Sequence, residues 1–499
     1  MDSKQQLCSK GKNVGKKMSS ITSDSEDEVL VNENHLDETV RIDDARKSVS
    51  KCHVNRVMLP CKIAYLSLFT SLGAFEPFIN VFLRSVGFSP AKVGLITGIR
   101  QLAQILGNPL WGILGDKTRK HKVLIVFLAS AAVCFNFPLP WIAKKGKIIK
   151  EDQTLWNGTM SDEKNSTKNS LKSHSQFLCI VSITFSAGFV ESSFENYVDG
   201  RTMKMIDHYK DGSTFGQQRF FGDIGYAFSS LMTAILTETI NADETLSIYA
   251  PLFFVYLIGM LSFILNSFFL FRQKLEVAKD SKIKIWRPLF STIKKPYVIF
   301  FYATVLMNGT ALGVIQGFFF LHLEDLGTPK IFMGISVLLQ SSLGAIFFPF
   351  SARVIKFVGG PNMAEAISLL SFVPACIMIS YIEHGWILFL SSLFHVLLFP
   401  LFWAAAIEET YNFSPEQIST TMLGLLNVIN VPCGNLIANM TGGLIYDKYG
   451  GPWLFRGTAL LCLFWGSLVL FTALAGRRWG KSTSNNTDQD CLHENLDNL

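Results

Sequence analysis

Charge is scarce in this chain. Asp, Glu, Lys and Arg make up 17% of its 499 residues, against roughly 25% in soluble globular chains. In their place, 49% of the residues are hydrophobic and 42 are phenylalanine. Mean hydropathy is positive. A chain so poor in charge excludes a soluble enzyme and a disordered regulator. The same composition excludes a disulfide-rich secreted domain, and the nine cysteines, with no CxxC and no zinc-ligand spacing, read as small apolar fillers in helices or free cytosolic thiols.

Other signatures are missing as well. No GxxxxGK[ST] loop is present, so ATP is not expected to drive the protein. HExxH, GxSxG and metal-ligand clusters are also missing, so the chain reads as a non-enzyme without cofactor or metal. The net charge of +6 is spread through loops and tails, where a membrane protein carries it, and gives no nucleic-acid face. No charged n-region followed by an apolar h-region opens the chain, so no cleavable signal peptide is expected.

What the chain does have is apolar length. A helix that crosses a bilayer needs about 20 apolar residues. Twelve such spans are expected, at about 60–84, 91–114, 122–143, 176–199, 220–240, 248–271, 297–321, 331–353, 363–382, 386–407, 418–444 and 453–476. The fold class is therefore all-α and polytopic, with two pseudo-symmetric six-helix bundles. The expected division is a disordered cytoplasmic tail at 1–58, a first bundle at 59–271, a basic cytoplasmic connector at 272–296, a second bundle at 297–476 and a cytoplasmic tail at 477–499. Two six-helix halves with a longer connector are a common build for secondary transporters, with the binding site near the midplane between them.

Two signals orient the spans. Basic loops stay in the cytoplasm. The loop after span two holds Lys117, Arg119, Lys120 and Lys122, and the loop after span six holds Arg272, Lys274, Lys279, Lys282, Lys284, Arg287, Lys294 and Lys295. With both termini inside, the loop at 144–175 lies outside, and it carries two glycosylation sequons, at Asn157 and Asn165. Seven lysines in that loop oppose the rule locally; the paired sequons outweigh them. The sequons begun by Asn308 and Asn439 fall inside spans, and that of Asn412 in an inner loop. The expected location is the plasma membrane, as a monomer in lipid.

The loop after span two reads Gly112-Ile-Leu-Gly115-Asp116-Lys117-Thr118-Arg119-Lys120. It resembles the signature of the major facilitator superfamily, a Gly, three residues, then Asp-Arg-x-Gly-Arg-Arg. Gly112, Asp116, Lys117 and Lys120 match, while Arg119 stands in place of the second glycine. Glycine lets helices approach closely, and an aspartate at a helix end can pair with a cation or a helix N-terminus on that face. Gly73-Ala-Phe-Glu76-Pro77-Phe78 in span one is similar to the lactose-permease-like branch of this superfamily. So is the Gly-x-x-Arg-x-x-Gly-x-x-Gly frame of Gly216, Arg219, Gly222 and Gly225. Among animal proteins the chain most resembles the major facilitator superfamily domain-containing protein 6 and 6-like group.

The resemblance implies a twelve-helix transporter fold. In the lactose-permease family the framed arginine binds sugar together with a glutamate late in span four. Those residues are Arg219 and Glu195 here, or Glu191 in a different alignment. His395 matches the family's span-ten histidine. Leu398 stands where the family has its proton-accepting glutamate, and span seven holds no acid. The resemblance therefore implies fold and substrate cleft more than a transferred proton mechanism.

An ionisable side chain inside a membrane usually faces a cavity or a partner. Span four holds Glu191, Glu195 and Asp199 at i, i+4 and i+8, which places them on one face of a continuous helix. Span two holds Arg100 with Gln101 and Gln104, and span one holds Glu76. Glu76, Arg100, Gln104, Glu191, Glu195, Arg219 and His395 are the candidate residues of a solute and proton cavity. An alternative arrangement pairs Glu76 with Arg100 and leaves Asp199 and Arg219 at the inner interface. The leading function is secondary transport of a small polar solute, with protons as the candidate coupling ion. The competing one is a non-transporting cell-surface receptor or scaffold on the same fold.

Overall fold

The computed structural model describes residues 57–118, 120–144, 163–209, 214–240, 248–272, 286–382, 387–415 and 418–496. Among them every regular element is helical. Eleven helices are long and apolar enough to cross a membrane. Leu59–Ser85, His121–Ala143, His174–Tyr209, Phe215–Thr239 and Ala250–Leu270 are spans one, three, four, five and six. Pro296–Asp325, Lys330–Val358, Pro361–Ser380, Phe389–Phe413, Thr421–Tyr449 and Gly451–Ala475 are spans seven to twelve. Span two, Pro90–Thr118, is the remaining long helix. It falls outside the apolar set because Lys92, Arg100, Gln101, Gln104, Asp116 and Lys117 dilute its hydropathy. Twelve spans thus stand where twelve were expected.

The helices outrun the apolar stretches in two places. The helix that becomes span four begins at Glu163, inside the segment read as the 144–175 loop, and contains Asn165. The helix begun at Gly451 continues to Leu496. Hydropathy locates the part of a helix that suits lipid. It does not mark where a run of good helix formers such as Glu163, Lys164 and Lys168 starts to coil. A short helix, Trp286–Ile293, lies in the basic connector. The tail at 1–56, Arg119 and the Asn157 sequon lie outside the described residues.

Several spans are broken inside the membrane. Span one is helical over Leu59–Phe75 and again over Ile79–Ser85. Pro77 has no N–H, so the carbonyl of Gly73 loses its helical donor and the helix stops. Span four divides into Glu163–Glu191 and Phe194–Tyr209 at Ser192 and Ser193. Span ten contains a π-helical turn at Leu397–Leu401 around Pro400, and span eleven contains another at Ile429–Cys433 around Pro432. Irregular backbone at membrane depth is sustained where protein or a polar cavity satisfies it.

The two bundles meet through span five against span eight and span two against span eleven. Span seven also touches the second helix of span one. The identified cross-bundle contacts gather at one end. Asn80 donates to the Gly317 carbonyl at 2.7 Å, and Tyr249 donates to Glu324 at 3.1 Å. The Lys330 backbone N–H donates to Glu238 at 2.8 Å. Arg84 stands 3.6 Å from Asp325, and the Phe78 and Phe320 rings lie 5.9 Å apart. The backbones are close enough that a Cβ on Gly94 would run into the Asn439 carbonyl, and one on Gly334 into Ala234 and Leu231. Lipid tails are as apolar as leucine, so close packing of small residues and polar contacts holds such an interface together. At the other end, a Cβ on Gly112, Gly216 or Gly424 would meet open space. The structure is closed at the end of residues 84–90 and 325–330.

Candidate functional site

The breaks in spans one and four set polar groups in the membrane interior. Glu191 ends one helix of span four, and Glu195 sits in the first turn of the next. Asn136 ends the first helix of span three, with Pro138 two residues on. Glu76 immediately precedes Pro77 in span one.

These residues form two networks. The first is buried in the first bundle. Arg100 of span two is salt-bridged to Glu191 of span four, and its second guanidinium nitrogen donates to Asn136 at 3.2 Å. Glu191 Oε1 accepts from Asn136 at 2.6 Å and from the Tyr256 hydroxyl at 2.7 Å. The guanidinium also covers the Phe75 ring, 4.7 Å from its centroid. Spans one, two, three, four and six thus meet on one ion pair. Its two charges compensate each other and its remaining polar atoms find donors, which is the condition a buried pair must satisfy.

The second network is half-exposed. Arg219 of span five reaches Glu195 at 3.1 Å and both Asp199 oxygens at 3.2 and 3.3 Å. Tyr65 of span one donates to Asp199 at 2.6 Å. The guanidinium rests over Phe69, 5.3 Å from the ring centroid. Glu76 is exposed although it lies mid-span. The Tyr226 hydroxyl of span five faces it, and Glu195, Glu191 and Arg100 are within electrostatic reach. Two carboxylates, Glu195 and Asp199, therefore hold one guanidinium, Tyr65 donates to Asp199, and Glu76 stands beside Glu195 with the Tyr226 hydroxyl as its donor. Such a surface presents hydrogen-bond acceptors in excess and disfavours an anionic ligand.

The helix break corrects the single acidic face expected of span four. Glu191 and the pair Glu195 and Asp199 lie on either side of the break at Ser192 and Ser193, and they take different partners. Glu191 turns into the bundle toward Arg100, while Glu195 and Asp199 turn to Arg219. Arg100 pairs with Glu191, not with Glu76. Gln104 is half-buried, and so is His395, one residue before Val396 and the π turn of span ten. Neither makes a hydrogen bond or ion pair with the two networks.

In the loop motif, Lys117 and Lys120 are exposed. Gly115, not Gly112, makes the close approach in this conformation: a Cβ there would strike the Tyr197 ring and hydroxyl of span four. Tyr65, Asn136, Tyr226 and Tyr256 were missed by reading charge alone. Only Asn136, a polar residue inside an apolar run, offered a signal.

Residues 58–457 match the family described as MFS_1 like. The chain is 19% identical to the major facilitator superfamily domain-containing protein 6-like of Danio rerio, across 82% of this chain and 85% of that one. It is 20% identical to the maltose permease of Geobacillus stearothermophilus, across 81% and 92%. Its fold is similar to the crystal structure of the nucleoside transporter NupG, with a TM-score of 0.65 at 12% identity over 83% of this chain and 98% of that one. The broken spans, the two six-helix bundles and the match over most of the chain agree, and the protein belongs to the MFS_1-like family of the major facilitator superfamily.

Proposed function

We propose that the protein is a secondary transporter that moves a small polar solute, neutral or cationic, by alternating access. One observation carries this reading. The contacts between bundles gather at one end, while the Arg219, Glu195 and Asp199 cluster stays half-exposed within the span region. Rocking of one bundle against the other would open the closed end and close the open one around the charged cluster. Glu76, Tyr65, Tyr226, Glu195, Asp199 and Arg219 are the solute-binding residues of this reading. Gln104 and His395 line the route.

The open end is the cytoplasmic one. Lys117, Lys120, Arg287, Lys294 and Lys295 gather there, as the positive-inside rule requires. On this reading both termini are cytoplasmic, the Asn157 and Asn165 sequons are extracellular and glycosylated at the plasma membrane, and the conformation is inward-facing. Relatives bearing the names of a maltose permease and a nucleoside transporter support a hydroxylated solute.

The test is uptake by proteoliposomes against a panel of sugars, nucleosides and organic cations, with and without a pH gradient. The expected result is saturable flux of a polar solute that is lost in Glu195→Gln and Arg219→Ala. Absence of flux for every solute, with the protein monodisperse and correctly folded, overturns the reading.

A further inference from the structure

The second bundle holds a carboxyl that neither network uses. Glu365 lies in the second turn of span nine and is 2% exposed. Its Oε1 is buried without a hydrogen-bond partner. Among the described residues, no basic side chain pairs with it. A carboxylate there would be an uncompensated buried charge, and the protonated acid is the form such a site accommodates.

Polar groups stand above and below it on the same face of span nine. Asn362, Glu365 and Ser368 recur at three-residue spacing and so share one face of span nine. At the open-end foot of this face, the Tyr297 hydroxyl of span seven lies 3.3 Å from Asn362 Oδ1 and donates to Glu409 of span ten. At its upper end, Ser368 donates at 3.1 Å to the Leu398 carbonyl, which sits in the π turn of span ten. Asn308 of span seven donates to the same carbonyl at 3.3 Å. Glu365 thus sits midway along a polar ladder, beside the one irregular turn of span ten. π turns are rare and mark functional positions in helices.

The other titratable groups near span nine keep clear of Glu365. Span ten offers His395, Glu408 and Glu409, and span seven offers Tyr297 and Tyr302 at this end. The helix Ser351–Val358 offers Arg353 and Lys356, both exposed. None forms a hydrogen bond or ion pair with Glu365.

We propose that Glu365 is a proton-binding site of the second bundle. It is protonated in the conformation described and ionises when rearrangement of span ten at its π turn admits water. This rests on the transport reading above and names the group that carries the coupling ion. The proton is exchanged with water that the rearrangement admits from the open end, past Glu409 and Tyr297, taken up as the acid forms and released to that water as the carboxylate forms. Linkage then sets the direction. The conformation that buries Glu365 binds the proton more tightly, so raising the pH depletes that conformation.

The experiment uses the full chain in a cysteine-free background, with spin labels at Val86→Cys and Leu326→Cys flanking the closed end. Pulsed electron–electron distance measurements are made from mildly acidic to alkaline pH, with no solute added. The distance distribution is expected to lengthen with pH in the parent, to stay short in Glu365→Gln at every pH, and to lengthen again in Glu365→Asp. Infrared difference spectra across the same range are expected to lose a protonated-carboxyl band that Glu365→Gln lacks. A pH shift that persists in Glu365→Gln, or a parent without one, overturns the proposal. Neither readout needs a solute. Flux that ignores the pH gradient would leave transport standing and remove this site, while a Glu365-dependent shift without flux would do the reverse.

Discussion

The Arg84 guanidinium on span one stands 3.6 Å from the Asp325 carboxylate on span seven, so one ion pair joins the two bundles at the closed end. Tyr446 of span eleven donates to the same carboxylate at 2.7 Å. Both charged side chains are about a third exposed, at 37% and 35%, which limits the pair to about 0.5–1 kcal/mol. Arg84→Gln is therefore expected to shift the ratio of closed to opened forms by about 2–5-fold, not to abolish it. The labelling rate of a buried reporter, Ile79→Cys, by an impermeant thiol reagent measures the shift. An unchanged rate would show that the pair contributes nothing to the closed end.

Backbone approach at the same end is less forgiving. A β-branched side chain at Gly94 meets the Asn439 carbonyl with nowhere to go, an overpacking of about 1–3 kcal/mol. Gly94→Val is expected to accelerate labelling of the Ile79→Cys reporter more than Arg84→Gln does. Gly112→Ala, with open space around it in this state, is expected to leave that rate unchanged.

The Arg100–Glu191 pair predicts non-additivity. Removing the arginine alone leaves a buried carboxylate with only Asn136 and Tyr256 as donors, a loss of about 3–5 kcal/mol. Arg100→Met is expected to lower the unfolding temperature in detergent sharply, and Arg100→Met with Glu191→Met to recover most of it. Equal melting of the single and double variants would mean that the charge pair is not what holds these helices.

Geometry, beyond charge, matters at Arg219, which divides two nitrogens between two carboxylates. A lysine keeps the charge and loses the fork. With charge-assisted hydrogen bonds at about 1.5–3 kcal/mol each, Arg219→Lys is expected to lower uptake of the transported solute by about 10–100-fold. Dose–response curves for uptake read this directly.

Topology has its own test. If the segment around Asn157 and Asn165 is extracellular, a glycosidase shifts the protein's mobility on gels, and Asn157→Gln with Asn165→Gln removes the shift. A mobility indifferent to both treatments would reverse the assigned orientation.

Hydrophobic length made the twelve spans legible, including span two, where Arg100 and Gln104 interrupt the apolar run. The break at Pro77 was not legible in the sequence, because proline marks no break by itself: Pro109 and Pro374 sit inside continuous helices. The break at Ser192 and Ser193 has no proline, and a regular 3.6-residue period therefore placed Glu191 with Glu195. That pairing depends on where a helix turns, which Arg100 and Arg219 settle from other spans. The cluster around Arg219 was legible because charge inside a membrane is conspicuous. Tyr65 and Tyr256 were not, since a phenol in an apolar helix looks like packing until its neighbour is known. Glu365 has no such mark, since no second acid or base stands on span nine beside it.

The two π turns, at Pro400 and Pro432, both belong to the second bundle. A π turn holds one residue more than the helix around it needs, and that surplus can migrate along a span without stretching its ends. The first bundle has breaks of its own in spans one and four, but these are pinned through Arg100 and Glu191 across five helices. The second has two slack joints beside Asn308, which bonds to the backbone of one and the Asn430 side chain of the other. Under the alternating-access reading, rocking would then be unequal: one arm would swing nearly whole, and the other would bend as it goes.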